Sequence, residues 1–210
     1  MYPTSIGTMH MRTGLDIQSW GKREYKTDTN RFDTEGKEIM QYSAVIPEEV
    51  KCFPEYLREV GYYTTNNQKT DYQFAAPVSA WDQNSKKAHW RNRAKNQPFF
   101  SVFNFDVTHE SRVWKNAEKP LTVDPKTVPV PPYFQDTKTA RTDIARVYSN
   151  IELLDKQVGD LLKQLKEDGL YDNTIIFFYS DHGGPLPRQK RELYNSGLQV
   201  PFMVKDLRKI

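Results

Sequence analysis

Two runs dominated by apolar residues, FFSVFNF at 99–105 and TIIFFYS at 174–180, are each long enough for one strand and too short for a buried helix. A third, VPFMV at 200–204, has the same character. Strands apolar along their whole length belong in a sheet covered on both faces, which is the situation of α/β domains. The segments between them fit. Five prolines, at 120, 125, 129, 131 and 132, forbid regular structure over 115–138 and predict an extended crossover. Beyond it Ile144, Val147, Ile151, Leu154, Val158, Leu161 and Leu165 step by three and four residues. That stripe predicts a helix packed on the sheet, with Gly169 as its stop. The expected fold class is therefore α/β with a largely parallel sheet flanked by helices.

The first part of the chain is less regular. Residues 1–41 are rich in Gly, Thr, Asp and Lys without a period and read as loop. From Pro47 the stretch PEEVKCFPEYLREVGYY has early acids, a late Arg58 and Gly61 as a stop, the punctuation of a short helix. Residues 62–65 follow as a strand, and 66–97 mix polar and aromatic residues without a period. The expected organisation is a single partial domain over 1–210. Residues 1–46 are its site-proximal loops, and 47–204 form the α/β core with the proline-rich crossover.

Bulk properties remove several partners. A net charge of +3 from 30 basic and 27 acidic residues is too mild for nucleic-acid binding by general attraction. One cysteine excludes an internal disulfide and a multi-cysteine zinc cage. No apolar run approaches the length of a membrane span, and MYPTSIGTMHMRTG lacks the layout of a secretion signal.

Ligands of open α/β sheets bind beyond the carboxyl ends of the strands, so the residues after each strand carry the chemistry. Asn66-Asn67-Gln68-Lys69 follows the first strand, Asp106-Val107-Thr108-His109 the second, and Asp181-His182-Gly183-Gly184 the third. Asp181 and His182 offer a carboxylate oxygen and an imidazole nitrogen to a divalent ion, with two glycines to turn the backbone. Two ligands are too few for a complete site. Lys69 can hold an anion as a point charge, and His109 can serve as a proton donor near neutrality. Lys190, in Arg188-Gln189-Lys190-Arg191, offers another cation.

Two other features invite a function. Cys52-Phe53-Pro54 begins a C-x-P pattern, but Tyr56 stands where that pattern needs arginine, and a buried thiol in a helix is the simpler reading. The run KKAHWRNRAK at 86–95 sets cations around an indole, which suits a solvated loop or a sulfated-glycan contact better than a nucleic acid.

Together these segments resemble the sulfatases. GYYTTNNQK at 61–69 resembles their second signature, G-Y-x-T-x-x-x-G-K, with Gln68 in place of glycine. TIIFFYSDHGG with KRELYNSGLQVP at 190–201 resembles their metal-site strand and the basic segment behind it. FNFDVTHESR resembles their histidine loop. Within the family, YPTSIGTMHMR and AWD…KKAHWRNR are most similar to heparan N-sulfatase-like and bacterial polysaccharide sulfatases.

The resemblance implies an alkaline-phosphatase-like fold and hydrolysis of a sulfate ester or sulfamate on a sulfated saccharide, using one calcium ion and a formylglycine nucleophile. It implies Asp181 and His182 as metal ligands, Lys69 and Lys190 as cations on the sulfate or nucleophile, His109 as sulfate contact or leaving-group acid, and His10 and Arg12 as substrate contacts. It also implies a periplasmic or extracellular location. The family's paired aspartates, its C/S-x-P-S-R motif and its C-terminal subdomain have no counterpart here. The expectation is an interior fragment with little activity alone. Two alternatives stay open: a phosphodiesterase or phosphonate hydrolase of the same superfamily, and a non-catalytic remnant that binds sulfated glycan through 86–95.

Overall fold

The computed structural model describes residues 44–70, 74–190 and 192–207. The chain divides into two compact units, one ending at Asn104 and one beginning at Phe105.

In the first unit, β2 (Tyr63–Asn67) pairs in parallel with β5 (Phe99–Phe103), Tyr63 opposite Phe99 and Asn67 opposite Phe103. On its other edge β2 pairs in parallel with β4 (Gln83–Asn84), giving the order β4-β2-β5. β1 (Ala44–Val45) and β3 (Phe74–Ala75) form a separate parallel pair. The sheet is thus parallel as expected, although β4 lies inside the stretch without a sequence period, because two residues show none.

Helix α1 (Phe53–Glu59) packs on β2 and begins later than the Pro47 start expected from sequence. A helix from Pro47 would place Pro54 in its interior, where it has no N–H for the carbonyl of Val50. Instead residues 47–50 make a turn closed by Val50 N–H on the Pro47 carbonyl (3.0 Å). Glu55 then reaches back to accept from Cys52 N–H (2.6 Å), and Pro54 sits harmlessly in the first turn. Cys52 is therefore the N-cap, and at 1% exposure it joins Phe74, Ala80 and Trp81 in the core. Trp81 stacks on Phe100 at 6.0 Å.

The middle of the sheet is polar yet buried. Thr64, Thr65 and Asn66 are at most 1% exposed. Each is satisfied: Thr64 N–H and Oγ1 donate to Asp82 Oδ2 (2.8 and 3.1 Å), and Thr65 Oγ1 donates to Ser101 Oγ (2.8 Å). Burial without such partners would cost about 1–3 kcal/mol per group.

In the second unit, α2 (Ser111–Lys115) leads into the proline-rich segment, and α3 (Lys138–Glu167) follows it. Thr137 Oγ1 caps α3 by accepting from Ala140 N–H (3.2 Å), and Gly169 ends it at φ 69°. The N-terminal part of the α3 stripe packs on the crossover. Ile144 and Ala145 pack with Val128, and around them lie Leu121, Val123, Val130, Phe134 and Leu186, mostly from the crossover itself. Carbonyls in a proline-rich strand lack ladder partners, so α3 supplies donors. Arg146, 5% exposed, donates to the carbonyls of Ala117, Lys119 and Pro120, and Arg141 to those of Pro125, Lys126 and Val128.

β6 (Ile176–Tyr179) and β7 (Phe202–Lys205) are antiparallel, Phe178 opposite Met203. A parallel pair would need the chain to cross back to the far end of β6. Here Gly183 N–H bonds the Gly197 carbonyl (2.9 Å), folding the connection on itself and returning the chain at the end where it left. These strands are also not the fully buried ones expected. Phe177 and Phe202 are 56% and 63% exposed, since a two-stranded pair covers at most one of its faces within its own unit. No helix among the described residues is long and apolar enough to cross a membrane.

Candidate functional site

At the carboxyl end of β2 the buried Asn66 joins three strands to the segment that carries Lys69. Its Nδ2 donates to Asn84 Oδ1 (3.0 Å) and to the Lys69 carbonyl (2.9 Å), and its Oδ1 accepts from Asn104 Nδ2 (2.8 Å). Asn66 and Asn67, expected just past the strand, are its last two residues. Lys69 is thus held by its backbone close to the sheet edge.

The second unit brings together residues far apart in sequence. Lys190 Nζ lies 3.0 Å from Glu110 Oε1 and 3.3 Å from His109 Nε2. The two partners of that ion pair are mostly buried, with side chains 11% and 18% exposed. Ser111 N–H donates to His109 Nδ1 (3.2 Å), and a backbone N–H can only donate. Ser111 Oγ also lies 3.0 Å from Nδ1, so the neutral ring is satisfied in both tautomers: proton on Nε2, or Nδ1–H donating to Ser111 Oγ while Nε2 accepts from the Lys190 ammonium. In both forms the Lys190 ammonium and the His109 imidazole stand side by side, a cation and a titratable nitrogen at a place suited to an anionic oxygen.

Lys190 is set there by its own loop. Its N–H donates to the Gly184 carbonyl (3.0 Å), tying it to the turn after β6. Arg188 takes φ 64° and lies over the rings of Tyr133 (4.9 Å) and Tyr194 (4.2 Å), an anchor that offsets the cost of a left-handed arginine. Gly183 is required by close approach, because a Cβ there would fall on the carbonyl of Ser196.

Asp181 Oδ1 and His182 Nε2 are 3.7 Å apart. That separation suits neighbouring ligands on one ion with bonds of about 2.1–2.5 Å. His182 Nδ1 lies 2.7 Å from the Gly183 carbonyl, to which it can donate, leaving Nε2 for the ion. Burial and the Asp181 carboxylate hold the Tyr179 phenol above its usual range. The pair fits as part of a ligand set: among the described residues no group of three His, Cys, Asp or Glu converges on a metal position.

Of the residues singled out from sequence, His109 and Lys190 meet, Asp181 and His182 are adjacent, and Lys69 lies in the other unit. His10 and Arg12 lie outside the described residues. Cys52 is a buried cap, as its apolar reading expected, and burial with the Glu55 carboxylate pushes its thiol up to about 12. Sequence reasoning missed Glu110, Ser111 and the bonding role of Asn66. An acid directly after a candidate histidine was the available signal for Glu110; Asn66 was marked by its place at a strand end, but nothing in the sequence gives it a bonding role. In the run 86–95, Trp90 is buried against Phe99 and Phe103, and Arg93 is spent on Phe99 and the carbonyls of Trp90 and Gln97.

The sulfatase family profile matches residues 25–209. An ulvan-active sulfatase of Formosa agariphila is 44% identical over 98% of this chain, which covers 37% of that protein. The N-sulphoglucosamine sulphohydrolase of Homo sapiens is 35% identical over 41% of this chain and 17% of its own length. An endo-4-O-sulfatase of Bacteroides thetaiotaomicron is 31% identical over 33% of this chain and 15% of its own length. The chain thus spans little more than a third of the first of these relatives and less of the others.

Proposed function

The chain belongs to the sulfatase family, and from that premise we propose that the protein hydrolyses a sulfate ester or sulfamate on a sulfated saccharide. The names of its relatives, an ulvan-active sulfatase and an N-sulphoglucosamine sulphohydrolase, support a sulfated sugar as substrate. The parallel three-stranded sheet flanked by helices is consistent with the alkaline-phosphatase-like fold that the family resemblance implies. We assign residues 1–210 to part of one catalytic domain, with 1–46 close to the site.

The observation that carries the reading is the convergence of the Lys190 ammonium and His109 Nε2 beside Glu110. Sulfate carries its charge on oxygens that these donors match, and the match strengthens as charge builds on the departing oxygen. When the sulfur–oxygen bond to the sugar breaks, the departing oxygen needs a proton, which His109 Nε2 supplies. When the broken bond is a sulfamate's sulfur–nitrogen bond, the same proton goes to the nitrogen. Lys190 opposes the sulfate charge, and Glu110 keeps the ammonium aimed. Lys69 has the same anion-binding role, and His10 and Arg12 remain proposed substrate contacts.

Asp181 and His182 would hold one divalent ion, calcium by family inference, whose charge would neutralise sulfate oxygens. The family's formylglycine, which is not among these residues, supplies the attacking hydroxyl. Export to the periplasm or cell surface fits a polysaccharide substrate and is likewise inferred from the family.

The test is sulfate release by the intact protein from a sulfated oligosaccharide, beside phosphate release from the matching phosphate ester. Preference for sulfate, reduced by Lys190→Ala, is the expected result. Preference for the phosphate ester would overturn the reading in favour of a phosphodiesterase, since both are tetrahedral oxyanions.

A further inference from the structure

We propose that Lys86 and Lys87 form a second anion subsite, which binds a neighbouring sulfate of a multiply sulfated chain while another sulfate lies at Lys69. The inference rests on the saccharide-sulfatase reading and deepens it. β2 and β4 run parallel and side by side, so their carboxyl ends share one edge of the sheet. Lys69 follows the end of β2, and Lys86 and Lys87 follow the end of β4 on that same edge. Adjacent strands are about 4.8 Å apart, so the two cationic segments leave the sheet as neighbours.

The turn that carries these lysines is unusually well fixed for a surface segment. Asn67 Nδ2 donates to the carbonyls of Lys86 (3.0 Å) and Ala88 (3.1 Å), and Asn92 Nδ2 to that of Lys87 (3.0 Å). Ser85 N–H donates to the Asn66 carbonyl (3.1 Å), Ala88 N–H to the Ser85 carbonyl (3.0 Å), and Lys87 N–H to Ser85 Oγ (3.2 Å). Asn66 therefore bonds both segments, the Lys69 carbonyl on one side and the turn after β4 on the other.

Against that rigid backbone both lysine side chains are exposed, and the ion pairs of the described residues include neither. Two adjacent like charges repel, and a loop that needed only solubility would not require so many bonds to hold them. A pre-formed turn with uncompensated cations beside a proposed sulfate-binding lysine suits a polyanion whose charges repeat along a chain. Trp90 and Arg93 take no part, because both are used in packing.

The experiment is calorimetric binding to the intact protein of two ligands, a sulfated oligosaccharide with several sulfates and the corresponding monosulfated sugar, for the native chain and Lys86→Ala/Lys87→Ala. The variant is expected to bind the oligosaccharide roughly five- to tenfold more weakly, with the loss shrinking at high salt and the monosulfated sugar held within twofold. Lys86→Arg/Lys87→Arg is expected to restore the affinity. Equal weakening of both ligands, or of neither, would overturn the subsite. Absence of sulfate release would instead count against the sulfatase reading, and because the binding ratio needs no turnover, it decides the subsite either way.

Discussion

Lys190 Nζ stands 3.3 Å from His109 Nε2 across 81 positions of sequence, with Glu110 Oε1 3.0 Å from the same ammonium. Ser111 holds His109 Nδ1 through its N–H and its Oγ, and Glu110 holds Lys190, so the closeness of the two nitrogens is organised by these partners and by the loops that deliver them. The consequences can be measured.

Lys190→Ala removes the ammonium donor beside His109 and is expected to lower kcat/KM for a sulfated saccharide by about 100- to 1000-fold, the usual cost of losing a donor to developing charge. Glu110→Gln leaves the ammonium but frees its direction, and a smaller loss of about tenfold is expected. The two measurements together separate charge from aim: equal losses would show that Glu110 does more than orient Lys190.

Asp181→Ala removes the carboxylate from the pair assigned to the ion. Added calcium is expected to raise the thermal midpoint of the native protein, because an ion bound only by the folded state stabilises it by mass action, and to leave the variant unmoved. Running manganese and zinc in parallel tests the imidazole's contribution, since nitrogen ligands favour those ions more than calcium. An equal calcium shift in both proteins would remove Asp181 from the ligand set.

Gly183→Ala places a methyl on the Ser196 carbonyl, a backbone atom that cannot swing aside. The bond from Gly183 N–H to the Gly197 carbonyl must open, and with it the support for Lys190 through Gly184. The expected cost is about 1–3 kcal/mol of stability, read as a lower urea midpoint. Loss of sulfate release beyond the unfolded fraction would mark the loop as what holds Lys190 in place.

The Cys52 thiol, raised from 9.0 to about 12 by burial and Glu55, is expected to resist alkylation at pH 8 while the unfolded chain reacts. A raised thiol favours the folded state below the unfolded pKa, and that contribution is lost as pH rises from about 9 to about 12. Cys52→Ala is expected to flatten this part of the stability profile. Rapid labelling of the native protein at pH 8 would show that the thiol is open to solvent.

Much of the local structure was legible. The spacing from Ile144 to Leu165, closed by Gly169, marked α3, and the prolines marked a segment without regular structure. A largely parallel sheet was also expected, and β2 pairs in parallel with β4 and with β5. The start of α1 was misplaced because a helix N-terminus depends on which residue caps it, here Cys52 with Glu55 reaching back. β7 was expected as a strand without a stated direction; the Gly183–Gly197 bond turns the chain round to make it antiparallel to β6, and that contact lies between residues fourteen apart in number with no periodic signal.

The sequence by itself determined which chemistry is available: the residue types at strand ends, the family signature at 61–69, the small net charge and the single unreactive cysteine. Those are properties of order and composition, readable without coordinates. Only the tertiary structure decided which of those residues act together. It joined Lys190 to His109 and Glu110, set Trp90 and Arg93 aside for packing, and left Lys86 and Lys87 exposed on a fixed turn. Such choices depend on burial and on hydrogen bonds between distant segments, and those exist only once the chain has folded.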